Sequence, residues 1–491
     1  MEPRPSHAGP GAGSAPPRAR GLPGDAGGVV VGANDEVVRD RFPYTRRPLP
    51  WVLAAFVAML FLVPVDSAEL RVHLPVDSHV DRFAVAGMLL AWLVFGGDQR
   101  ALLGTRRSRL GVLAVCSFIA LALASIVFGA ERIVMLGELK LSEKHFALLL
   151  SFLVLFWFTM TALRFEDLRG FATLLIGLGT FTAFWMVIER RTGYNFFFEW
   201  SRTVLGPVAR VLPPLTQIHP TGGERPVVVG PTRHGLAATT MMVVVMPFAL
   251  VRVFDGLTRR TRWLNAAAFV LMFAAAMATS RKTALLVPVA LIVYVAFYRP
   301  RQMLKLLPVG LIAAFALVHV LAPGSIGSIV NVGRDVESNS TVHRSGDFSA
   351  LSPDVHAHPI IGRGYGSVSE EQPSEFRIND DQYLDVLWEV GILGLIAYAG
   401  MILAPVAIAR KAIRSRDPTT SSLALAASGG CVAFLVVCAL FDALSFPQAP
   451  YMLFVVAALT TIAAAGPAGN TQRPPAELAR RIGRPRPAVA T

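Results

Sequence analysis

The chain has 491 residues, of which 53% are hydrophobic and 16% charged, and its formal net charge is +13. Soluble domains carry about 25% charged residues, so this composition excludes an ordinary soluble protein. A strongly basic balance can indicate nucleic-acid binding, but the arginines here stand at the ends of apolar runs. The sequence therefore predicts a membrane protein that binds membrane lipids and no nucleic acid.

Apolar runs follow one another along the chain, most of them long enough for a membrane-spanning helix. They lie near 49–65, 83–96, 110–128, 145–163, 170–188, 233–254, 264–279, 284–298, 304–323, 385–409, 422–441 and 451–466. We predict an all-α integral membrane protein with about twelve transmembrane helices. The polytopic domain spans 49–466, between a disordered tail at 1–48 and a basic tail at 467–491.

The positions of the basic residues predict the orientation of the chain. The segments "RRPLP", "GTRRSRL", "LTRRTRW", "RKAIRSR" and "ARRIGRPRP" all fall on one side when the predicted helices alternate in direction. Cytoplasmic loops carry an excess of Lys and Arg. We therefore expect a multi-pass protein of the cytoplasmic (inner) membrane with both termini in the cytoplasm. Two long loops, at 189–232 and 322–383, then lie outside.

An anion-binding pattern ends the first long loop. In "GGERPVVVGPTRHGLA", residues 222–237, the segment 230–232 resembles a helix start, with the threonine as cap or the proline in the first turn. A helix start presents free N–H groups to an anion, and Arg225, Arg233 and His234 flank this one. The alternative is that the two arginines are interfacial cations that extend to water.

A second pattern is "TSRKTALLVPV", residues 279–289, which leaves room only for a tight turn between two helices. Arg281 and Lys282 lie in this turn, and a charge at such depth is a functional hypothesis by default. Arginine presents a planar fork to phosphate oxygens, whereas lysine acts as a point charge. The alternative is a turn that carries two interfacial cations.

The third pattern, "HAHPIIGRGYGS" at 356–367, lies in the second long loop. Its glycines suit a tight backbone turn beside a ligand, and no strand precedes them, as a nucleotide-binding fold would require. A histidine can take a proton at neutral pH. We predict a structural His356 and a functional His358, for which a satisfied structural role is the alternative. The sequence predicts no clustered metal ligands, so arginines would have to balance the charge of any diphosphate.

Together, "GPTRHGLA", "SRKTALLV" and "HPIIGRGYGS" followed by "NDDQYLDVLWEVGILGL" resemble the O-antigen ligase and polymerase superfamily over residues 180–460. Members of that family are membrane glycosyltransferases with a C-type architecture. They transfer a glycan from a polyprenyl-diphosphate carrier to an acceptor hydroxyl, without a metal or cofactor. The resemblance implies a lipid-linked glycan donor and an acceptor that is a lipid or another cell-envelope glycan.

The resemblance also implies roles for particular residues. Arg225 and Arg281 would hold the diphosphate, and His358 would act as general base at the acceptor. Further predicted substrate contacts are Arg233, His234, Lys282, Arg344, Arg363 and Tyr383. For Tyr383 and for Glu389, structural roles are equally open.

Three other functions remain open at this point. The same residues would serve a polymerase that joins lipid-linked repeat units, or a transferase that acts on protein. A secondary transporter with twelve helices is the alternative from another class. The two halves of the sequence show no convincing self-similarity, and the charges gather at the outer ends of the predicted helices. Both features favour the transferase over the transporter.

Overall fold

The computed structural model describes the helical body of the chain. It covers residues 48–71, 78–97, 99, 102, 104–214, 228–256, 258–321, 351–367 and 381–466. Arg225 and Arg344, two of the predicted site residues, lie outside these ranges, as do both predicted tails apart from Pro48.

Within the described residues, twelve long helices lie where the sequence predicts apolar runs. They are α1 (Pro48–Leu62), α2 (Val80–Phe95), α3 (Arg106–Phe128), α5 (Leu139–Ala162), α6 (Asp167–Thr192), α8 (Gly235–Asp255), α9 (Arg259–Ala278), α10 (Thr283–Tyr298), α11 (Pro300–Leu321), α12 (Gln382–Ile413), α13 (Pro418–Cys438) and α14 (Gln448–Ala465), numbered together with the shorter α4 (Ala130–Met135) and α7 (Phe196–Leu205). The chain is mostly helical, as expected for an all-α membrane protein.

Eight of the described helices are long and apolar enough to cross a membrane, namely α3, α5, α6, α8, α9, α12, α13 and α14. The apolar helices α1 and α10 are shorter. The full count of twelve spans therefore stays a prediction.

Several short elements were not predicted from the sequence. Helix α7 lies inside the first predicted long loop and is capped by Asn195, whose side chain accepts a hydrogen bond from the amide of Phe198 at 3.1 Å. Strands β1 (Ala68–Leu70) and β2 (Ala209–Val211) pair antiparallel, with Glu69 opposite Arg210. Elements this short lack the long apolar run by which the spans are recognised.

The centre of the bundle is formed by α8 and α14, which are almost entirely buried, and by α13. Small residues allow α13 to approach α8 closely. A Cβ atom at Gly429 would lie 2.9 Å from Pro247, and one at Gly430 would lie 3.1 Å from the carbonyl oxygen of Val244. Small residues at helix contacts are the usual means of close packing inside a membrane.

The antiparallel helices give the bundle two ends. At one end, which we name the site face, α1, α3, α6, α9 and α13 end and α8, α10, α12 and α14 begin. At the opposite face, Arg299 forms an ion pair of 2.6 Å with Asp255 and ties the end of α10 to the end of α8. Every described candidate residue from the sequence lies at the site face.

Candidate functional site

Helix α8 begins at Gly235, and its N-cap is His234. The prediction that Thr232 caps this helix is wrong. Its hydroxyl donates instead to the carbonyl oxygens of Val229 and His234, both at 2.8 Å. The threonine thus stabilises the turn that precedes the helix. The imidazole takes over the cap because its Nδ1 accepts the amide N–H of Leu236 at 3.2 Å.

This cap determines what the His234 ring can do. Since Nδ1 accepts a hydrogen bond, the proton of the neutral ring lies on Nε2. Burial, together with the charge of Arg281, lowers the pKa of His234 to about 4, and the ring stacks on Phe446 with centroids 4.9 Å apart. His234 is therefore a neutral hydrogen-bond donor at physiological pH.

A buried carboxylate holds the turn that leads into α8. Glu189, near the end of α6, accepts the amide N–H groups of Val229 at 3.2 Å and Gly230 at 3.0 Å. Its other partner is the side-chain amide of Asn195 at 2.9 Å. These three hydrogen bonds anchor the turn to α6.

A second buried carboxylate, Asp66, lies just after α1. It accepts the amide N–H of Arg233 at 2.8 Å. Gln448 donates to Asp66 at 3.4 Å and to the carbonyl oxygen of Pro231 at 3.1 Å. The start of α8, with Arg233 and His234, is thus held between α1 and α14.

Burial raises the pKa of Asp66 from 3.8 to about 6, against the opposing effects of its hydrogen bonds and of Arg233. A carboxyl whose pKa is higher in the folded state contributes stability that is complete below about pH 4 and is lost as the pH rises through 6. The corresponding free energy is about 3 kcal/mol. Asp66→Asn removes this ionisation and keeps an acceptor oxygen.

We therefore expect the apparent melting temperature of the unmodified protein to fall by a few °C relative to Asp66→Asn between about pH 4 and pH 7. Thermal unfolding of both proteins in detergent measures this difference. The exposed Glu143→Gln is the control and is expected to show no such trend. A difference that stays constant with pH would contradict the assignment.

The turn between α9 and α10 is as tight as the sequence predicts. Ser280 adopts a left-handed backbone with φ of 58°, and Arg281 and Lys282 follow it before α10 begins. The hydroxyls of Thr279 and Thr239 lie 2.8 Å apart and bind this turn to the first turns of α8. As a result the charge of Arg281 acts on His234. Two sequence patterns separated along the chain meet here.

The second cluster forms where the loop 358–367 packs on a break in α12. Gly391 has φ of 76° and ψ of −173°, so the helix is interrupted at this residue. Four backbone hydrogen bonds join the two segments: Arg363 N–H to Trp388 O at 3.0 Å, Gly364 N–H to Glu389 O at 2.9 Å, Ile392 N–H to Pro359 O at 2.9 Å and Leu393 N–H to Ile360 O at 3.3 Å. The loop therefore satisfies backbone groups that the break leaves without helical partners.

Two glycines make this contact possible. A Cβ atom at Gly362 would overlap the carbonyl group of Glu389, and one at Gly391 would overlap the carbonyl group of Ile360. Both glycines also have positive φ, at 76° each. The backbones of loop and helix thus touch directly, which explains the glycine content of the loop.

Arg363 is buried and bound by protein groups. Its guanidinium lies 3.2 Å from Glu138 and 3.0 Å from Asp354, and it stacks 5.0 Å from the centre of the Trp388 ring. The indole of Trp388 donates to the same Asp354 carboxylate at 3.1 Å. With 4% of its side chain exposed, Arg363 binds the loop to its surroundings, and its predicted contact with substrate stays a prediction.

His358 is exposed and lies in a cleft of about 530 Å³ between the loop and the α3–α4 junction. Its backbone is fixed, because its N–H donates to Asp354 O and its carbonyl accepts from Gly362 N–H, both at 3.0 Å. The cleft is lined on the α4 side by Glu131, Arg132 and Met135. The ring therefore reaches solvent from a rigid backbone.

Arg132 is a cation of this cleft that the sequence analysis missed. Its Nη2 atom is buried without a hydrogen-bond partner in the described structure. Burial and the neighbouring Arg363 charge lower the pKa of this guanidinium. The sequence does contain a signal for it, because Arg132 lies in a short segment on the predicted outer side, where Lys and Arg are disfavoured.

Tyr383, a predicted substrate contact, and His356, predicted to be structural, both form hydrogen bonds within the protein. The hydroxyl of Tyr383 donates to the carbonyl oxygen of Leu435 in α13 at 2.7 Å, which agrees with the structural alternative. The Nδ1 atom of His356 lies 2.6 Å from the carbonyl oxygen of Ser352. Both side chains are thus bound within the protein.

The segment 439–447 connects the two clusters. Phe446 stacks on His234 of the first cluster. The amide of Leu444 donates at 2.6 Å to Gln382, the first residue of α12, and the charge of Asp442 acts on Glu389 at the break. In the described ranges, no group of three His, Cys, Asp or Glu side chains could hold a metal ion.

Residues 267–399 match the family model described as O-antigen ligase. The matched segment covers less than half of the chain and contains Arg281, Lys282 and the whole loop with His358. Arg233 and His234 precede it, although the structure joins them to Arg281. The match confirms the resemblance found in the sequence. No curated protein matches the chain.

Proposed function

We propose, from the premise that residues 267–399 belong to the O-antigen ligase family, that the chain is a membrane glycosyltransferase. It would move a glycan from a polyprenyl-diphosphate carrier to an acceptor hydroxyl on the outer face of the cytoplasmic membrane. The observation that carries the proposal is that a cationic site and an exposed histidine cleft occupy the same face of one helical bundle.

The donor half of the proposed site is the cluster around the start of α8. Arg281, Lys282 and Arg233 supply positive charge, and the Nε2–H of His234 supplies a neutral donor beside them. These groups suit a diphosphate, whose negative charge grows as the carrier leaves. By resemblance, Arg225 would join this half from the preceding loop.

The acceptor half is the cleft of His358. The imidazole would remove the proton from the acceptor hydroxyl as its oxygen bonds to the anomeric carbon of the glycan. The bond from that carbon to the diphosphate oxygen breaks, and polyprenyl diphosphate leaves with the electron pair. Arg132 would bind acceptor oxygens through its unpartnered Nη2. Base catalysis of this kind contributes about 10²–10⁴-fold.

Arg363, Glu138 and Asp354 have a positioning role in this proposal. Their ion pairs hold the backbone of the loop that carries His358. Gly391 and Gly362 let that loop rest directly on α12. A base is effective only when its geometry is maintained, and these contacts supply the rigidity without touching the substrate.

The test is the pool of polyprenyl-diphosphate glycan in the native host. Three strains are compared: intact, deleted for this chain, and carrying His358→Ala at a matched protein level. We expect full-length lipid-linked glycan to accumulate in both altered strains, because its transfer is blocked.

Each other result has a defined meaning. Accumulation of single repeat units would assign the same site to a polymerase, the main alternative within the family. An unchanged pool in the deleted strain would contradict the transferase and favour the transporter. An unchanged pool only in the His358→Ala strain would show that His358 is not the base.

A further inference from the structure

The face opposite the site face contains a cleft that the proposed reaction does not use. It has a volume of about 760 Å³ and lies between the ends of α3, α12, α13 and α14. Four cationic side chains line it, namely Arg107, Arg410, Lys411 and Arg414. A concave surface with this much positive charge suits an anionic ligand.

Two contacts shape the cleft. Arg107, at the start of α3, donates to the carbonyl oxygen of Ala464 at the end of α14. The one carboxylate in the lining, Asp417, caps α13 by accepting the amides of Thr419 at 3.3 Å and Thr420 at 2.9 Å. Its charge is therefore directed at its own helix start, and the cleft keeps a net positive charge.

Apolar side chains continue from the cleft toward the middle of the bundle. Leu110 and Leu113 on α3 are 43% and 64% exposed, and Leu403 on α12 is 46% exposed. Leu110 lies about one helical turn from Arg107, and Leu403 about two turns from Arg410, on the same helix faces. Helices α3 and α12 pack against each other. A cationic cleft is thus followed by an exposed apolar surface.

This arrangement fits an amphiphile with an anionic head. We propose that the cleft binds the phosphate head group of an anionic phospholipid, with an acyl chain along the exposed leucines of α3 and α12. Basic clefts between helices at a membrane face are suited to such head groups. The inference does not depend on the proposed transferase reaction.

The chain's own C-terminal segment is a poor alternative occupant. It follows Gly466, which itself lines the cleft. Residues 467–491 contain five arginines and one glutamate, so this segment would be repelled by the four cations. A lipid phosphate has the complementary charge.

The test uses the full chain, purified in detergent and depleted of lipid. Native mass spectrometry follows the binding of phosphatidylglycerol, with phosphatidylcholine as the neutral comparison. The variant combines Arg410→Gln with Arg414→Gln. Its control combines Arg259→Gln with Arg260→Gln, two exposed arginines on the same face and outside the cleft. Each of these two variants loses two positive charges.

We expect phosphatidylglycerol binding to weaken by about tenfold or more in the cleft variant and to change little in the control. A variant with lysine at both 410 and 414 keeps the charges and is expected to bind nearly as the unmodified protein does. Equal weakening in the cleft variant and the control would overturn the proposal. Displacement of the lipid by glycerol phosphate at similar concentrations would overturn it too, because the site would then recognise free phosphate.

Discussion

Replacing His358 with alanine is expected to lower kcat for glycan transfer by about 10²–10⁴-fold, the usual contribution of a general base. The KM for the lipid-linked donor should change little, because the donor half lies at the start of α8. Purified protein in lipid vesicles, with a lipid-linked glycan and an acceptor, provides the measurement. The ring is exposed in its cleft, so its loss should leave the fold intact.

The matched control is His356→Ala, two residues away on the same segment. His356 is exposed and bonded locally to Ser352, so its variant should retain nearly full activity. Equal loss in both variants would indicate damage to the loop instead of loss of a base. Full activity in His358→Ala would remove this residue from the mechanism.

Arg281→Lys is expected to reduce kcat by about 10²-fold, in the range reported for the loss of one preorganised donor to a developing negative charge. Lysine keeps the positive charge but loses the planar fork that binds two phosphate oxygens. Arg281→Gln removes both features and should lower the rate further. The same vesicle assay measures these rates, with donor concentration varied to separate kcat from KM.

Arg191→Gln is the matched control for charge, because Arg191 is exposed at the end of α6 on the same face. It should leave kcat within about twofold, since isolated surface charges contribute little. If Arg281→Lys were as active as the unmodified protein, bidentate binding by Arg281 would be excluded. If Arg191→Gln were equally impaired, the effect would be one of overall surface charge.

The positions of the long helices follow from the sequence alone. In a bilayer, backbone groups must be bonded within the segment, so long apolar runs become helices almost regardless of their neighbours. This is why α3, α8 and α14 lie within a few residues of their predictions. The short helix α7 and the β1–β2 pair have no such run, and their formation depends on contacts from distant parts of the chain.

The break in α12 shows a limit of the same reasoning. The run 385–409 reads as one helix, because a glycine within an apolar run does not by itself specify a kink. Gly391 takes a positive φ only because the loop at 358–364 supplies hydrogen bonds to the opened backbone. The partner of the break lies about 30 residues away and has no periodic pattern of its own.

For the site, the sequence by itself indicated Arg281, His234 and His358, because cations and histidines between apolar runs are costly and need a reason. Only the tertiary structure shows which of these cations have protein partners. Arg363 and Arg132 are both arginines on the same predicted side, yet the first is enclosed by Glu138 and Asp354 while the second keeps an unpartnered Nη2 in the cleft of His358. The sequence determines which residues carry a charge. The partners of each charge come from segments far apart in sequence, so they are known only once the chain has folded.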